Sequence, residues 1–240
     1  MNRDHPHRTS VGDLAALLDH ALLDPHQGRE AVIRCCDEAR HFGFAGVCVA
    51  SRWLEVARER LPLSGTGSGS GRDRGSGQSP RLISVVGFPF GAVPQPIKQA
   101  EAEAAIEAGA DELDVVPDFG ALADGNSGAV LDELAAICEL DRPVKVILEV
   151  GKLSPENLEL LVEIAIDAGA LFLKSGSGFG PPVSAAQVQT LRDLARGRAA
   201  VSASGGISDL WHALDLVEAG ATRLGTSRSL ALMEAWRSRG

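Results

Sequence analysis

Short apolar runs recur along the chain at 19–23, 46–50, 82–88, 112–116, 144–150, 171–174, 200–204 and 223–225. Amphipathic stretches such as 99–108 and 155–168 separate most of them. A short β-leaning run bounded by turn residues predicts a strand, and an amphipathic stretch of ten or more residues predicts a helix. The junction from helix to strand is itself repeated, in EAGADELDVV (107–116), DAGALFLKSG (167–176) and EAGATRLGTS (218–227), with HFGFAGVCVA (41–50) as a looser copy. Glycine just past a helix adopts the left-handed conformation that ends it, and the strand starts a few residues on. Eight alternating units predict an α/β fold, a single-domain (β/α)8 TIM barrel. A doubly wound sheet is the alternative, but it has fewer strands and one dominant Gly-rich turn.

Two segments break the pattern. MNRDHPHRTS (1–10) reads as a flexible tail, without the apolar core of a signal peptide. The Gly/Ser-rich stretch 64–80 is nearly free of apolar residues and cannot bury enough surface to order itself. The flanking segments look alike, so it reads as a disordered loop within a barrel spanning 11–240. It precedes a strand, which places it on the face opposite the one where barrels do their chemistry.

Charge narrows the function. The formal net charge is −9, which argues against binding nucleic acid or an anionic membrane while leaving room for a small phosphorylated ligand in a local positive pocket. No apolar run approaches the roughly 20 residues that span a bilayer. Cys35, Cys36, Cys48 and Cys138 show no framework spacing, so reduced thiols and a cytoplasmic location are expected.

In such a barrel the chemistry lies at the C-terminal ends of the strands. Lys174 stands there, in the apolar run LFLKSGSGFG. Burial in a dry barrel mouth disfavours its ammonium form and makes it a nucleophile towards carbonyls. The competing reading is a lysine that snorkels to the rim or binds phosphate as a point charge. Alternation puts Glu112, Asp114 and Val116 on one face of their strand, with Asp114 either a proton-transfer group or a buried partner for a lysine. It also puts Lys145, Ile147 and Glu149 together. Lys145 then either pairs with Glu149 or serves as the second positive charge that lowers the pKa of Lys174. Three Gly/Ser segments, 175–180, 204–206 and 225–227, suit a phosphate, because glycine lets backbone N–H groups approach an anion. Among the six histidines none has a ligand spacing such as H-x-x-x-H, so no metal is expected. His20 is either an active-site group or a core histidine.

These segments resemble the deoxyribose-phosphate aldolase family, class I aldolases of (β/α)8 fold. The motifs are LDHALLDP (18–25), GVCVAS (46–51), SVVGFPFGA (84–92) followed by Lys98 and Glu101, GADELDVV (109–116), KVILEVGKL (145–153), FLKSGSGFG (172–180), SASGGI (202–207) and RLGTS (223–227). The resemblance implies reversible cleavage of 2-deoxy-D-ribose 5-phosphate to D-glyceraldehyde 3-phosphate and acetaldehyde, without a cofactor. It implies that Lys174 forms the Schiff base, that Asp114 transfers protons through water, and that Asp19 belongs to the surrounding polar network. Cys48 matches a position near the substrate, with a buried structural thiol as the other reading. Ser175, Ser177 and Gly178, together with Gly205, Gly206, Gly225 and Ser227, fall on the substrate and phosphate loops. The expected partners are small phosphorylated sugars and aldehydes. A homodimer is expected at family level, since many barrels pair through outer helices.

The chain also departs from the family's pattern. The family carries a second active-site lysine just before its Gly-Gly turn, and here that position in VSASGG is Ser202, counted with the substrate-binding set. A neutral serine cannot lower the pKa of Lys174, so activation falls to burial or to Lys145. Losing one positive neighbour raises an amine's pKa by about one unit, with about tenfold less free amine near neutral pH. Ser175-Gly176-Ser177 stands where Thr-Ser-Thr is usual, Ala21 follows His20 where threonine is common, and the chain has no tyrosine. These departures keep two alternatives open: a lyase or aldolase acting on another aldehyde or sugar phosphate, and a non-catalytic sugar-phosphate-binding paralogue.

Overall fold

The strands form where the apolar runs lie: β1 (Leu18–Leu22), β2 (Gly46–Val49), β3 (Arg81–Val86), β4 (Glu112–Val115), β5 (Val144–Ile147), β6 (Phe172–Lys174), β7 (Ala200–Ser204) and β8 (Arg223–Thr226). A computed structural model describes residues 14–61 and 79–239. All eight strands pair in parallel and in sequence order, and β8 closes on β1 with Asp19 opposite Gly225. This is the expected (β/α)8 barrel. The expected tail at 1–10 and all but Ser79 and Pro80 of the expected loop at 64–80 lie outside the described residues.

The connecting helices are α1 (Arg29–Phe42), α2 (Leu54–Arg60), α3 (Gln95–Glu107), α4 (Phe119–Ala123), α5 (Ser127–Cys138), α6 (Pro155–Asp167), α7 (Ala185–Ala195), α8 (Leu210–Glu218) and α9 (Ser229–Arg237). Their starts are chemical. Ser154 accepts from the Asn157 N–H ahead of Pro155, Ser184 forms a capping box with Gln187, and Asp209 accepts from the His212 N–H. Each such cap contributes about 1 kcal/mol. The repeated helix-to-strand glycines, Gly43, Gly109, Gly169 and Gly220, all have positive φ, the backbone state that a side chain disfavours.

Alternation sorts each strand's side chains into two environments. Outward-facing Leu113, Val115, Val144 and Val146 join the main core between barrel and helices, and burial of each contributes about 1.5–3 kcal/mol. Inward, Cys48, Ile83 and Val85 form a small separate apolar cluster with Ala21, Leu23 and Phe88. The other side of the interior is charged. Predicted strands 82–88 and 144–150 overshoot the observed ends at Val86 and Ile147. Gly87 and Glu149 take φ of 65° and 50° there, which turns the chain out of the sheet.

Candidate active site

β4 contributes two inward carboxylates, Glu112 and Asp114, and its neighbour β5 sets Lys145 opposite Asp114. Lys145 is fully buried, with Nζ 2.6 Å from Glu112 Oε2 and 2.8 Å from Asp114 Oδ1. Lys174, at the end of β6, places Nζ 2.5 Å from Asp114 Oδ2. At the other end Arg223, the first residue of β8, lies 3.4 Å from Glu112 Oε1 and donates from its guanidinium to Asp19 Oδ1. A row of alternating charge results: Lys174, Asp114, Lys145, Glu112, Arg223, Asp19. It holds three cations and three anions, so the interior is formally neutral. Arg81, half out in solvent, also touches Glu112 at 3.3 Å.

The row sets the protonation states. Burial opposes the charge on Asp114, but Lys145 and Lys174 hold its carboxyl down at about 2. Burial is the largest single influence on Lys174 and Lys145 and works against their charged forms, but their acidic neighbours together outweigh it, Asp114 with Cys48 at Lys174 and Asp114, Asp19 and Glu112 at Lys145, so both are raised. The sequence-based expectation that burial, or Lys145 as a positive neighbour, would depress Lys174 is therefore corrected. Lys145 does act in that direction, but a carboxylate in direct contact dominates a like charge on its far side. Burial pushes the Asp19 carboxyl up despite Lys145 and Arg223, and pushes the Cys48 thiol up to about 12, with Asp114 adding to it. Cys48 Sγ is 3.8 Å from Asp114 Oδ2 and sits as a neutral thiol.

The anticipated Lys145–Glu149 pair is not formed. Glu149 lies two residues beyond β5 with a left-handed backbone, so alternation no longer governs where its side chain points. It accepts the Ser177 N–H at 2.5 Å and braces the loop after β6. His20, next to Asp19, faces outward: Nδ1 is 3.1 Å from Ser229 Oγ, Nε2 is 2.9 Å from Glu38 Oε2, and the ring packs edge-on against Phe44. It is a core histidine. Among the described residues no cluster of His, Cys, Asp or Glu is placed to hold a metal ion.

A cavity of about 410 Å³ opens above Lys174, between the ends of β1, β6, β7 and β8. Of the residues singled out from the sequence, Lys174, Ser177, Gly178, Gly205, Gly206, Gly225 and Ser227 line it. Asp114, Lys145, Asp19, Cys48, Ser175 and Ser202 are not among its lining residues; they are buried in the barrel interior or between its strands. Ser175 spends its hydroxyl on structure, donating to Ser204 O and accepting from Ser204 N–H, both at 2.8 Å. A Cβ at Gly225 would crowd Ser204 Cβ at 3.2 Å and come into contact with Lys174 Nζ at 3.4 Å. Gly206, at φ 69°, could not carry a Cβ without meeting Pro182 at 2.6 Å.

Three contributors escaped the sequence reading: Arg223, Arg228 and the bracing role of Glu149. Arg228 also lines the cavity. Arg223 shares the inward face with Gly225 by simple alternation, a signal that was available.

The chain is 43% identical over 223 residues to the deoxyribose-phosphate aldolase of Thermosynechococcus vestitus, covering 92% of this chain and 96% of the relative. The chain belongs to the deoxyribose-phosphate aldolase family. A member from Thermus thermophilus is 40% identical over 92% of this chain and 96% of its own length. Among solved structures, the aldolase QR15 superposes with a TM-score of 0.84 at 32% identity, covering 95% of this chain and 97% of that one. The deoxyribose phosphate aldolase of Aeropyrum pernix gives 0.83 at 32% identity over 96% and 94%, and its structure is described as tetrameric. No family model matches the chain. No helix among the described residues is long and apolar enough to cross a membrane.

Ser202, which the resemblance places where the aldolase family has a lysine, lies on β7 between Lys174 on β6 and Arg223 on β8. Its hydroxyl is buried without a protein hydrogen-bond partner. An unpaired buried hydroxyl costs about 1–3 kcal/mol. Ser202→Ala is therefore expected to hold or raise the melting temperature, by about 2–4 °C per kcal/mol regained. A fall of several degrees in a thermal melt would show that the hydroxyl has a partner after all.

Proposed function

We propose that this chain is a class I aldolase that cleaves 2-deoxy-D-ribose 5-phosphate to D-glyceraldehyde 3-phosphate and acetaldehyde, reversibly, through an imine on Lys174. The observation that carries this is the position of Lys174: it is the amine among the cavity's lining residues, and it is bonded to a buried carboxylate. Membership of the family supports the substrate.

In the resting site Lys174 is an ammonium ion. It gives up one proton, with Asp114 Oδ2 in contact to accept it directly or through water, and the free amine adds to the substrate aldehyde. The resulting carbinolamine takes the proton back and expels water, leaving an iminium ion. The nitrogen is then again singly positive beside Asp114, so the carboxylate that raises the pKa of Lys174 also stabilises the iminium. Its C=N bond accepts the electron pair of the breaking C–C bond. As the C2–C3 bond breaks, the substrate's C3 hydroxyl gives its proton through water to the Asp114 carboxylate, so glyceraldehyde 3-phosphate departs with a new C=O and an enamine of acetaldehyde remains. Protonation of the enamine carbon and hydrolysis release acetaldehyde and restore the lysine. Ser177, Gly178, Gly205, Gly206, Gly225 and Ser227 hold the sugar phosphate, while Lys145 and Asp19 keep Asp114 and its row in place.

Borohydride trapping with deoxyribose 5-phosphate, and separately with acetaldehyde, followed by peptide mass spectrometry, tests this. We expect a reduced adduct on Lys174. An adduct on Lys145 would move the nucleophile, and none, with sugar phosphate bound, would favour the non-catalytic paralogue. Ser202 favours a second reading, the same imine chemistry on another aldehyde or sugar phosphate; exclusive turnover of deoxyribose 5-phosphate in a substrate panel would defeat it. The same proposal places the chain in the cytoplasm, as a homodimer paired through outer helices. Light scattering on the eluting protein decides the assembly, and a monomer or tetramer would remove the dimer.

A further inference from the structure

We propose that Arg228 makes the cavity selective for a phosphate monoester over the same sugar without phosphate. This rests on the reading that the cavity takes deoxyribose 5-phosphate, and it concerns a residue outside the motifs that identify the family.

Arg228 stands between β8 and α9. Its backbone N–H donates to Thr226 Oγ1 at 2.9 Å, and that hydroxyl donates to Ile207 O at 2.7 Å. The peptide is thus pinned to the loop after β7, beside Gly205 and Gly206. The cations lining the cavity are Lys174 and Arg228, and they differ in one respect. Lys174 is matched by Asp114 at 2.5 Å, within a row whose charges cancel, so it adds little net positive potential. Arg228 is matched by nothing: among the described residues its guanidinium makes no hydrogen bond, ion pair or ring contact, whereas Arg58, Arg60, Arg198 and Arg223 each hold a carboxylate. The lining carboxylate, Asp24, is turned to its own loop, accepting from the His26 N–H and from Gln27.

An exposed arginine among the cavity's lining residues, without an internal partner, is available to an incoming anion. Its planar donors match phosphate oxygens in pairs, which backbone N–H groups do less strongly. A neutral hydroxyl at the same place gains far less from it. The solvated-surface alternative predicts no dependence on the ligand's charge.

The test uses the full chain and its R228Q and R228K variants, with kcat and KM measured on deoxyribose 5-phosphate and on unphosphorylated deoxyribose. In R228Q the ratio of kcat/KM for the two sugars should fall by roughly 10- to 100-fold, chiefly through KM for the phosphorylated one, and R228K should recover part of it. A ratio within twofold of the parent, or an equal loss on both sugars, overturns the proposal. If the parent cleaves neither sugar, it is the functional reading that has failed. The assignment of Arg228 is then decided by calorimetric titration with inorganic phosphate. Binding at least fivefold weaker in R228Q sustains it, and equal binding overturns it.

Discussion

Lys174→Ala is expected to lower cleavage of deoxyribose 5-phosphate by at least about 10⁴-fold, because without the amine there is no iminium to accept the electrons of the breaking bond. Lys174→Arg should be equally inactive and is the more telling variant. It keeps a cation beside Asp114, and so keeps the buried pairing, but a guanidinium does not form the imine. If both variants lose turnover and the borohydride-reducible adduct while K174R melts near the parent, the loss belongs to the nucleophile and not to the fold. Retention of more than about one per cent of parental turnover in either variant would end the Schiff-base proposal.

The second large effect is expected at Asp114. Its two oxygens hold Lys145 at 2.8 Å and Lys174 at 2.5 Å, so Asp114→Asn leaves two ammonium groups facing a neutral amide in a dry interior. Removing one partner from a buried ion pair costs about 3–5 kcal/mol. Turnover should fall by about 10²- to 10⁴-fold with loss of the proton-transfer group. The pH dependence separates these effects. In the parent the folded Asp114 titrates at about 2, below its ordinary value of 3.8. Its stabilising contribution is therefore complete above about pH 4 and is lost as pH falls through about 2. D114N should lack that part of the acid limb in thermal unfolding. It should also shift adduct formation to lower pH, because the group that raises the pKa of Lys174 is gone and the like charge on Lys145 stays. A variant as stable as the parent at pH 7, with the same slope below pH 4, would remove Asp114 from this role.

How much of this was legible depended on the distance over which each signal acts. The helix-to-strand glycines and the period-two strands are local, so the eight-unit barrel and the inward face of Glu112 and Asp114 could be read along the chain. Lys174 at a strand exit and the Gly/Ser loops could be read the same way. Strand ends were less legible, because departure from the sheet at Glu149 rests on a left-handed backbone that few side-chain types announce. Partnerships were the least legible. Arg223 meets Asp19 across 204 residues, a contact made only when β8 closes on β1. For the same reason the choice of Lys145 for Asp114 and Glu112 over Glu149 is a property of neighbouring strands in register. The direction of the Lys174 shift followed from that choice, and burial alone pointed the wrong way.

The neutral row inside the barrel also constrains how this interior can change. A single substitution at Glu112, Arg223 or Lys145 strands a charge where water cannot reach it, and the cost, about 3–5 kcal/mol, is a large share of the roughly 5–15 kcal/mol that separates a typical folded domain from its unfolded chain. Exchanging an adjacent cation and anion together for apolar groups of similar volume leaves the sum at zero and is close to neutral. These positions are therefore free to drift only in couples, and a library that varies them one at a time would find the barrel intolerant where paired variation would find it permissive.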